Sequence, residues 1–210
     1  MRAIFVRHGQ STANVGIFSP GFATIPLTEL GERQAVDIAA QWQIKPDLIV
    51  VSPYLRAQQT ARHTIERFPD APVETWDIHE FTYWDPAYWS EGDPADYPES
   101  RARYWGNADP AYRQGDGAET FSELLSRARA ALQRLQAEPP QATVMLFTHG
   151  HFIQAVRHVI LYPGWTDGQA MSNFLAFDEA HKVQNTQSVI AEFDGIRWRL
   201  EDELSDRAAR

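Results

Sequence analysis

The chain has no cysteine in its 210 residues, which excludes disulfide scaffolds, thiolate metal sites and cysteine nucleophiles. It also lacks positive charge in excess. Nineteen Lys and Arg against 28 Asp and Glu leave a net charge of -9, the wrong sign for sequence-independent nucleic-acid binding. No apolar run approaches the ~20 residues of a membrane span. The apolar run at the start, Ala3-Ile4-Phe5-Val6, is cut off by Arg7 and has neither the length nor the small-residue cleavage site of a signal peptide. A cytoplasmic protein with no nucleic-acid or membrane partner is therefore expected. Internal repeats and low-complexity segments are absent too. What remains is an ordinary globular composition, 43% apolar and 22% charged, long enough for one sizeable core. One domain is expected over residues 1–204, with 205–210 as a frayed polar tail.

Short apolar, β-branched runs predict buried strands over 2–6, 48–51 and 143–147, with a weaker one at 73–76. Helical spacing predicts helices from Thr28 to about Trp42, over 54–68, from about Glu119 to Ala137, and from Gly150 to about Leu161. Thr28 suits an N-cap, and Pro53 suits the start of the second helix. Residues 188–193 and 197–200 predict a hairpin around Asp194-Gly195. Between them, residues 81–118 are rich in Trp, Tyr, Pro, Asp and Gly and keep no period, so they predict an irregular, aromatic-rich cap insertion. Strands alternating with helices imply an α/β protein, a three-layer α/β/α sandwich around a mostly parallel sheet.

Ligands of such sheets bind at the carboxyl ends of the strands. Arg7-His8-Gly9 and His149-Gly150-His151 each follow a strand directly, and Ser52 and Arg56 follow another. Two arginines and two histidines on one rim suit a tetrahedral anion, because guanidinium forks match phosphate oxygens. One histidine could attack phosphorus through a neutral ring nitrogen, and the other could stabilise charge on the oxygens. Glu80, after the third strand at the same end, is the candidate to protonate the leaving alkoxide. Cationic side chains supply the charge in this scheme, so no metal or other cofactor is called for. The alternative for His149-Gly150-His151 is part of a metal site. His63, His79, His158 and His181 read as hydrogen-bonded structural histidines.

These residues carry a resemblance. Arg7-His8-Gly9-Gln10-Ser11-Thr12-Ala13-Asn14 resembles the RHGxSxxN signature of the histidine phosphatase superfamily, in its phosphoglycerate mutase-like branch. Leu27 to Ala35 is similar to the LTxxGxxQA element, and Ser52 to Ala61 to SPxxRAxxTA. Gly117-Ala118-Glu119-Thr120 approximates GGES, Thr148-His149-Gly150 the final SHG, and Asn185 to Ser188 with Phe193-Asp194-Gly195 the closing hairpin. The resemblance implies that His8 is phosphorylated, that Arg7, Arg56 and His149 form the phosphate pocket, that Asn14 and the Gly150 backbone add hydrogen bonds, and that Glu80 is the acid/base. Gly150, not an aspartate, follows His149, and Ser11 and Ala13 do not fit the RHGxRxP of the phytase-like branch.

The implied activity is that of a metal-independent phosphomonoesterase, taking a small phosphate ester and releasing inorganic phosphate. A phosphoglycerate mutase and a non-catalytic phospho-ligand binding module are the alternatives. Phosphoglycerate mutases of the family follow the glutamate with Arg-His-Tyr-Gly, whereas Glu80 is followed by Phe81-Thr82-Tyr83-Trp84. The loop from Phe18 to Ile25 departs from the family as well. The aromatics Phe81, Tyr83, Trp84, Tyr88, Trp89, Tyr97, Tyr104, Trp105 and Tyr112 could wall a ring-bearing leaving group, form a dimer contact, or pack as a lid core. Arg101, Arg103 and Arg113 could meet a further anionic group or be solvated. Monomer and homodimer are both open.

Overall fold

The computed structural model describes residues 1–17, 21–89 and 97–201. The tail expected at 205–210, residues 18–20 of the divergent loop and the side chains of Tyr88, Trp89 and Tyr97 lie outside the described residues. Six strands form one sheet: β1 (Arg2–Arg7), β2 (Leu48–Val51), β3 (Val73–Thr75), β4 (Thr143–Thr148), β5 (Ser188–Phe193) and β6 (Trp198–Leu200). Their order is β3-β2-β4-β1-β5-β6, the first four parallel and the last two joined antiparallel as the predicted hairpin. Six helices accompany them: α1 (Glu29–Gln41), α2 (Leu55–Arg67), α3 (Tyr97–Asn107), α4 (Phe121–Leu135), α5 (Gly150–Leu161) and α6 (Asp167–Ala180). No helix among the described residues is long and apolar enough to cross a membrane.

The period-two geometry of a strand sends alternate side chains to opposite faces, and here it makes two cores. Ala3 and Phe5 of β1, Leu48 and Val50 of β2, and Val144 and Leu146 of β4 face a cluster with Leu124, Phe152 and Phe174 of α4, α5 and α6. Their neighbours Ile4, Val6, Ile49, Val51, Met145 and Phe147 face Ile38 of α1 and Ala61 of α2. Burial on both faces is why these runs read as continuously apolar. The three layers expected from the sequence are those observed. Register then fixes the rim: Val6 pairs with Phe147, Arg7 with Thr148, and Val51 with Phe147. Chain leaving β1, β2 and β4 therefore emerges at one level.

Most helix starts follow their capping chemistry. Thr28 Oγ1 accepts from Gly31 N at 3.1 Å, and Thr120 forms a capping box with Glu123. The helix expected over 119–137 is shorter, because Thr120 stands outside it as the cap and the chain leaves before Pro139. Helix α6 was not expected. Its buried residues Ala170, Met171, Phe174 and Phe177 lie on one side, but Ala176 and Ala180 stand among the exposed Gln169, Ser172 and Glu179, so the polar face marks the period only weakly. The usable signal was the Thr166–Gln169 capping box.

In the excursion, Phe81, Tyr83, Trp84, Tyr104 and Trp105 are buried and belong to the larger core. Trp105 stacks on Phe174 at 5.6 Å and meets Phe121 edge-on at 6.0 Å. These side chains pack as a lid core. Arg101 and Arg103 are exposed, and Arg113 is engaged by Glu123 and the Ala118 carbonyl.

The loop leaving β1 lies flat on the first turn of α1. Gln10 N donates to Gln34 Oε1 at 2.8 Å, and Thr28 N donates to Gln10 O at 2.9 Å. A Cβ on Gly31 would stand 2.0 Å from Gln10 O, and one on Gly9 would stand 2.5 Å from Gly31 O. Gly31→Ala should therefore lower unfolding stability by about 1–3 kcal/mol, the usual scale of overpacking, despite the better helix propensity of Ala. Urea unfolding measures it, and a stability equal to or above wild type would show that the loop yields freely.

Candidate active site

At the rim, His8 is 3% exposed and has two partners of opposite sense. Its Nδ1 lies 2.7 Å from Gly9 O, and Arg56 Nε donates to its Nε2 at 3.1 Å. A carbonyl only accepts and a guanidinium only donates, so the proton resides on Nδ1 and Nε2 carries the lone pair. Burial, then the charge of Arg56, holds the His8 pKa well below the usual histidine value, with Arg7 adding to the effect and the Gly9 hydrogen bond opposing it.

Arg56 sits in the first turn of α2, with NH1 donating to Phe22 O at 2.7 Å and its guanidinium 5.1 Å from the centre of the Tyr54 ring. Arg7, the last residue of β1, donates from NH1 to Val183 O at 2.6 Å, while its buried Nε has no partner. Burial lowers the pKa of both arginines and Glu80 acts against it. Both stay cations.

His149 is fully buried as the N-cap residue of α5. Its Nε2 lies 2.8 Å from Ser52 Oγ, which also accepts from Tyr54 N at 3.3 Å, and its Nδ1 has no partner. The His8 and His149 rings are 5.1 Å apart. Burial, then Arg56 and His8, lowers the His149 pKa well below normal. Gly150 follows, and a Cβ there would stand 3.6 Å from Arg7 Nε, so the start of α5 packs against that guanidinium.

Glu80 approaches from the loop after β3. Its Oε1 accepts from Phe81 N and from His151 N, both at 3.0 Å, so the carboxylate meets the amino end of α5. Asn14 sits further out, with Ser11 N, Ser11 Oγ and Asn185 Nδ2 converging on its Oδ1 at 3.0, 3.1 and 3.2 Å. Its oxygen closes the loop, and only its amide donors remain for a ligand. All seven residues singled out from the sequence thus lie around one rim. His8, Arg56, His149 and Ser52 are in direct contact or hydrogen bonded in sequence, and Arg7 and Glu80 are attached through α5.

The bracing contacts are less visible in the sequence. Thr60 Oγ1 accepts from Gly9 N at 3.0 Å and donates to Arg56 O at 2.6 Å, tying the β1 loop to α2. Asn185 Nδ2 donates to His8 O at 3.0 Å, and Thr186 N donates to Arg7 O at 3.0 Å. Thr60 is the threonine of the SPxxRAxxTA resemblance and Asn185 and Thr186 lie in that of the closing hairpin, so the residues were marked while their bracing bonds were not. The structural histidines behave as expected: His79 Nδ1 meets Glu80 O, His158 Nδ1 meets Gln154 O, His181 Nδ1 meets Phe177 O, and His63 pairs with Glu66. His149 and His151 diverge, the second toward Asp178 at 3.8 Å. Among the described residues no three His, Asp or Glu side chains are grouped to hold a metal ion.

Comparison with known proteins agrees with this geometry. The sequence is 33% identical over 152 residues to an uncharacterized phosphatase of Bacillus subtilis, covering 72% of each chain. It is 28% identical over 217 residues to a glucosyl-3-phosphoglycerate phosphatase of Mycobacterium tuberculosis, covering 95% of this chain and 92% of the other. A mycobacterial glucosyl-3-phosphoglycerate phosphatase in complex with VO3 superposes with a TM-score of 0.71 at 27% identity, over 95% of this chain and 97% of that one. With residues 3–204 matching the family as a whole, the chain belongs to the histidine phosphatase superfamily, branch 1.

Proposed function

We propose that the protein is a metal-independent phosphomonoesterase that hydrolyses a small phosphorylated metabolite through phospho-His8. The observation that carries this reading is the fixed tautomer of His8, which aims an unprotonated Nε2 into a pocket with Arg7, Arg56 and His149. In the free protein that lone pair is held only by Arg56 Nε. A phosphate oxygen can take over the N–H, which frees Nε2 at the moment the electrophile arrives. If Ser52 donates to His149 Nε2, the proton of His149 lies on the unpartnered Nδ1, a further donor for the equatorial oxygens.

The steps balance without another reactant. Nε2 forms a bond to phosphorus as the ester P–O bond breaks, and Glu80 gives its proton to the departing alkoxide. Glu80 then takes a proton from water, which attacks phosphorus and breaks the P–N bond, releasing phosphate and neutral His8. Hydrolysis is favoured over return of the phosphoryl group to a carboxylate-bearing substrate. Phe81, which follows Glu80, is 4% exposed and packed among aromatics, so it supplies no cation there.

Glu80→Gln tests the acid. The amide keeps the shape but transfers no proton, so kcat/KM for an alkyl phosphate should fall about 10²-fold further than kcat/KM for nitrophenyl phosphate, whose leaving group needs no acid. Phosphate release and loss of ester, followed with chelator present, supply both numbers. An equal fall for both esters would remove the acid role.

A further inference from the structure

Glu80 is held by its carboxylate at the amino end of α5, and one ion pair holds the main chain on either side of it. Arg127 of α4 and Glu119, just before its cap, form a two-pronged bridge, Nε to Oε1 at 2.6 Å and NH2 to Oε2 at 2.8 Å. Their side chains are only 12% and 11% exposed. The remaining terminal nitrogen of Arg127 donates to the carbonyls of Asp77 and His79, at 3.0 and 3.1 Å. On the far side of Glu80, Glu119 N donates to Thr82 O at 2.7 Å. Arg127 therefore grips the peptide that precedes Glu80, and the Glu119 main chain grips the Thr82 carbonyl two residues after it. Behind this loop lies a cavity of about 540 Å³ bordered by Asp77, His79, Thr82, Glu119 and Arg127. On that side Tyr54 also meets the loop, its ring stacked on His79 at 5.2 Å and its hydroxyl 3.1 Å from Thr82 Oγ1, so the hydrogen bonds of Arg127 and Glu119 set the loop's position together with it.

We infer that Glu119 and Arg127 are positioning residues for proton transfer, fixing Glu80 against the amino end of α5 at the distance the leaving oxygen requires. This rests on the acid role of Glu80 proposed above. Neither side chain touches the phosphate pocket, so a loss of position should weaken protonation of the leaving group and leave attack by His8 to proceed. Placement errors of about 1 Å are costly to such transfers. A purely structural ion pair would affect all substrates alike.

The test is the ratio of kcat/KM for glycerol phosphate to kcat/KM for nitrophenyl phosphate. Both values report only the steps through the first release, which is where the acid acts. In Arg127→Lys, which keeps charge but has no fork to span two carbonyls and a carboxylate, the ratio should drop tenfold or more. Glu119→Gln, which loosens the grip without emptying the site, should lower it in the same direction. Arg127→Met combined with Glu119→Gln leaves no buried charge unpaired and serves if Arg127→Lys does not fold. In a Glu80→Gln background the same changes should lower the ratio by less than twofold more. An unchanged ratio in the folded variants, with both esters slowed together or neither slowed, overturns the positioning role. If Glu80→Gln itself fails to change the ratio, the acid reading is lost and this inference with it; if Glu80→Gln changes it and the Arg127 and Glu119 variants do not, only the inference is lost.

Discussion

Turnover should fall to background when His8 is replaced by alanine, while the protein stays folded. In the proposed mechanism the His8 imidazole supplies the nitrogen that bonds to phosphorus. His149 is engaged by Ser52 through one ring nitrogen, and its other nitrogen is the donor assigned above to the phosphate oxygens. The stability cost should be modest, about 1–2 kcal/mol, because the change leaves a small cavity and an Arg56 N–H that water at the rim can satisfy. Incubation of wild type with a labelled ester should trap phosphate that survives base and is lost in acid, the signature of phosphorus on a ring nitrogen. His8→Ala should trap none. Turnover near the wild-type rate in that variant would end the mechanism.

Arg56→Ala should cost about 10²–10³ in kcat/KM, the scale of losing one charge-assisted donor to a transition state. Competitive inhibition by phosphate and vanadate should weaken alongside, since the same fork meets the ground-state anion. A second consequence follows from what Arg56 does to His8. Its charge, after burial, is the largest influence lowering the His8 pKa. Removing it lets that pKa rise toward the usual histidine value, so the acid limb of the kcat/KM profile should move to higher pH. Arg56→Lys should recover little, because one ammonium cannot address both a substrate oxygen and the Phe22 carbonyl that now anchors NH1. A variant with wild-type kinetics and an unmoved acid limb would take Arg56 out of the site.

The chemistry was more legible in the sequence than the scaffolding around it. Arg7 ends β1, His8, Ser52 and His149 directly follow strands, and Arg56 opens the helix after β2, a concentration of polar chemistry at strand ends that local composition cannot hide. Glu80 was readable by the same rule applied to a weaker strand. Asn14 was expected to bond the ligand; its oxygen closes its own loop, which leaves its amide donors for that role. The braces depended on tertiary placement. Thr186 has φ 59, a conformation that β-branched residues rarely adopt, so propensity argues against the turn that presents its N–H to Arg7. Arg127 meets carbonyls 48 and 50 residues away, and no spacing on α4 announces them. Helix α6 was hidden because small residues blur its period: Ala176 and Ala180 interrupt the exposed face that Gln169, Ser172 and Glu179 mark.

The brace on the nucleophile bears on the order in which the molecule is made. Strand β1 precedes the other described strands and helices, yet both its neighbours in the sheet, β4 and β5, come more than 130 residues after it. The carbonyl of His8 is bound by Asn185, 177 residues later. Closing contacts of that separation is slow relative to forming local helices. During synthesis α1 and α2 can form early, but the nucleophile stays unfastened until β5 has left the ribosome and docked. Phosphatase activity should therefore report completed assembly, and a truncated chain ending before Asn185, which lacks β5 and β6, should carry Arg7, His8, Arg56, Glu80 and His149 without turnover.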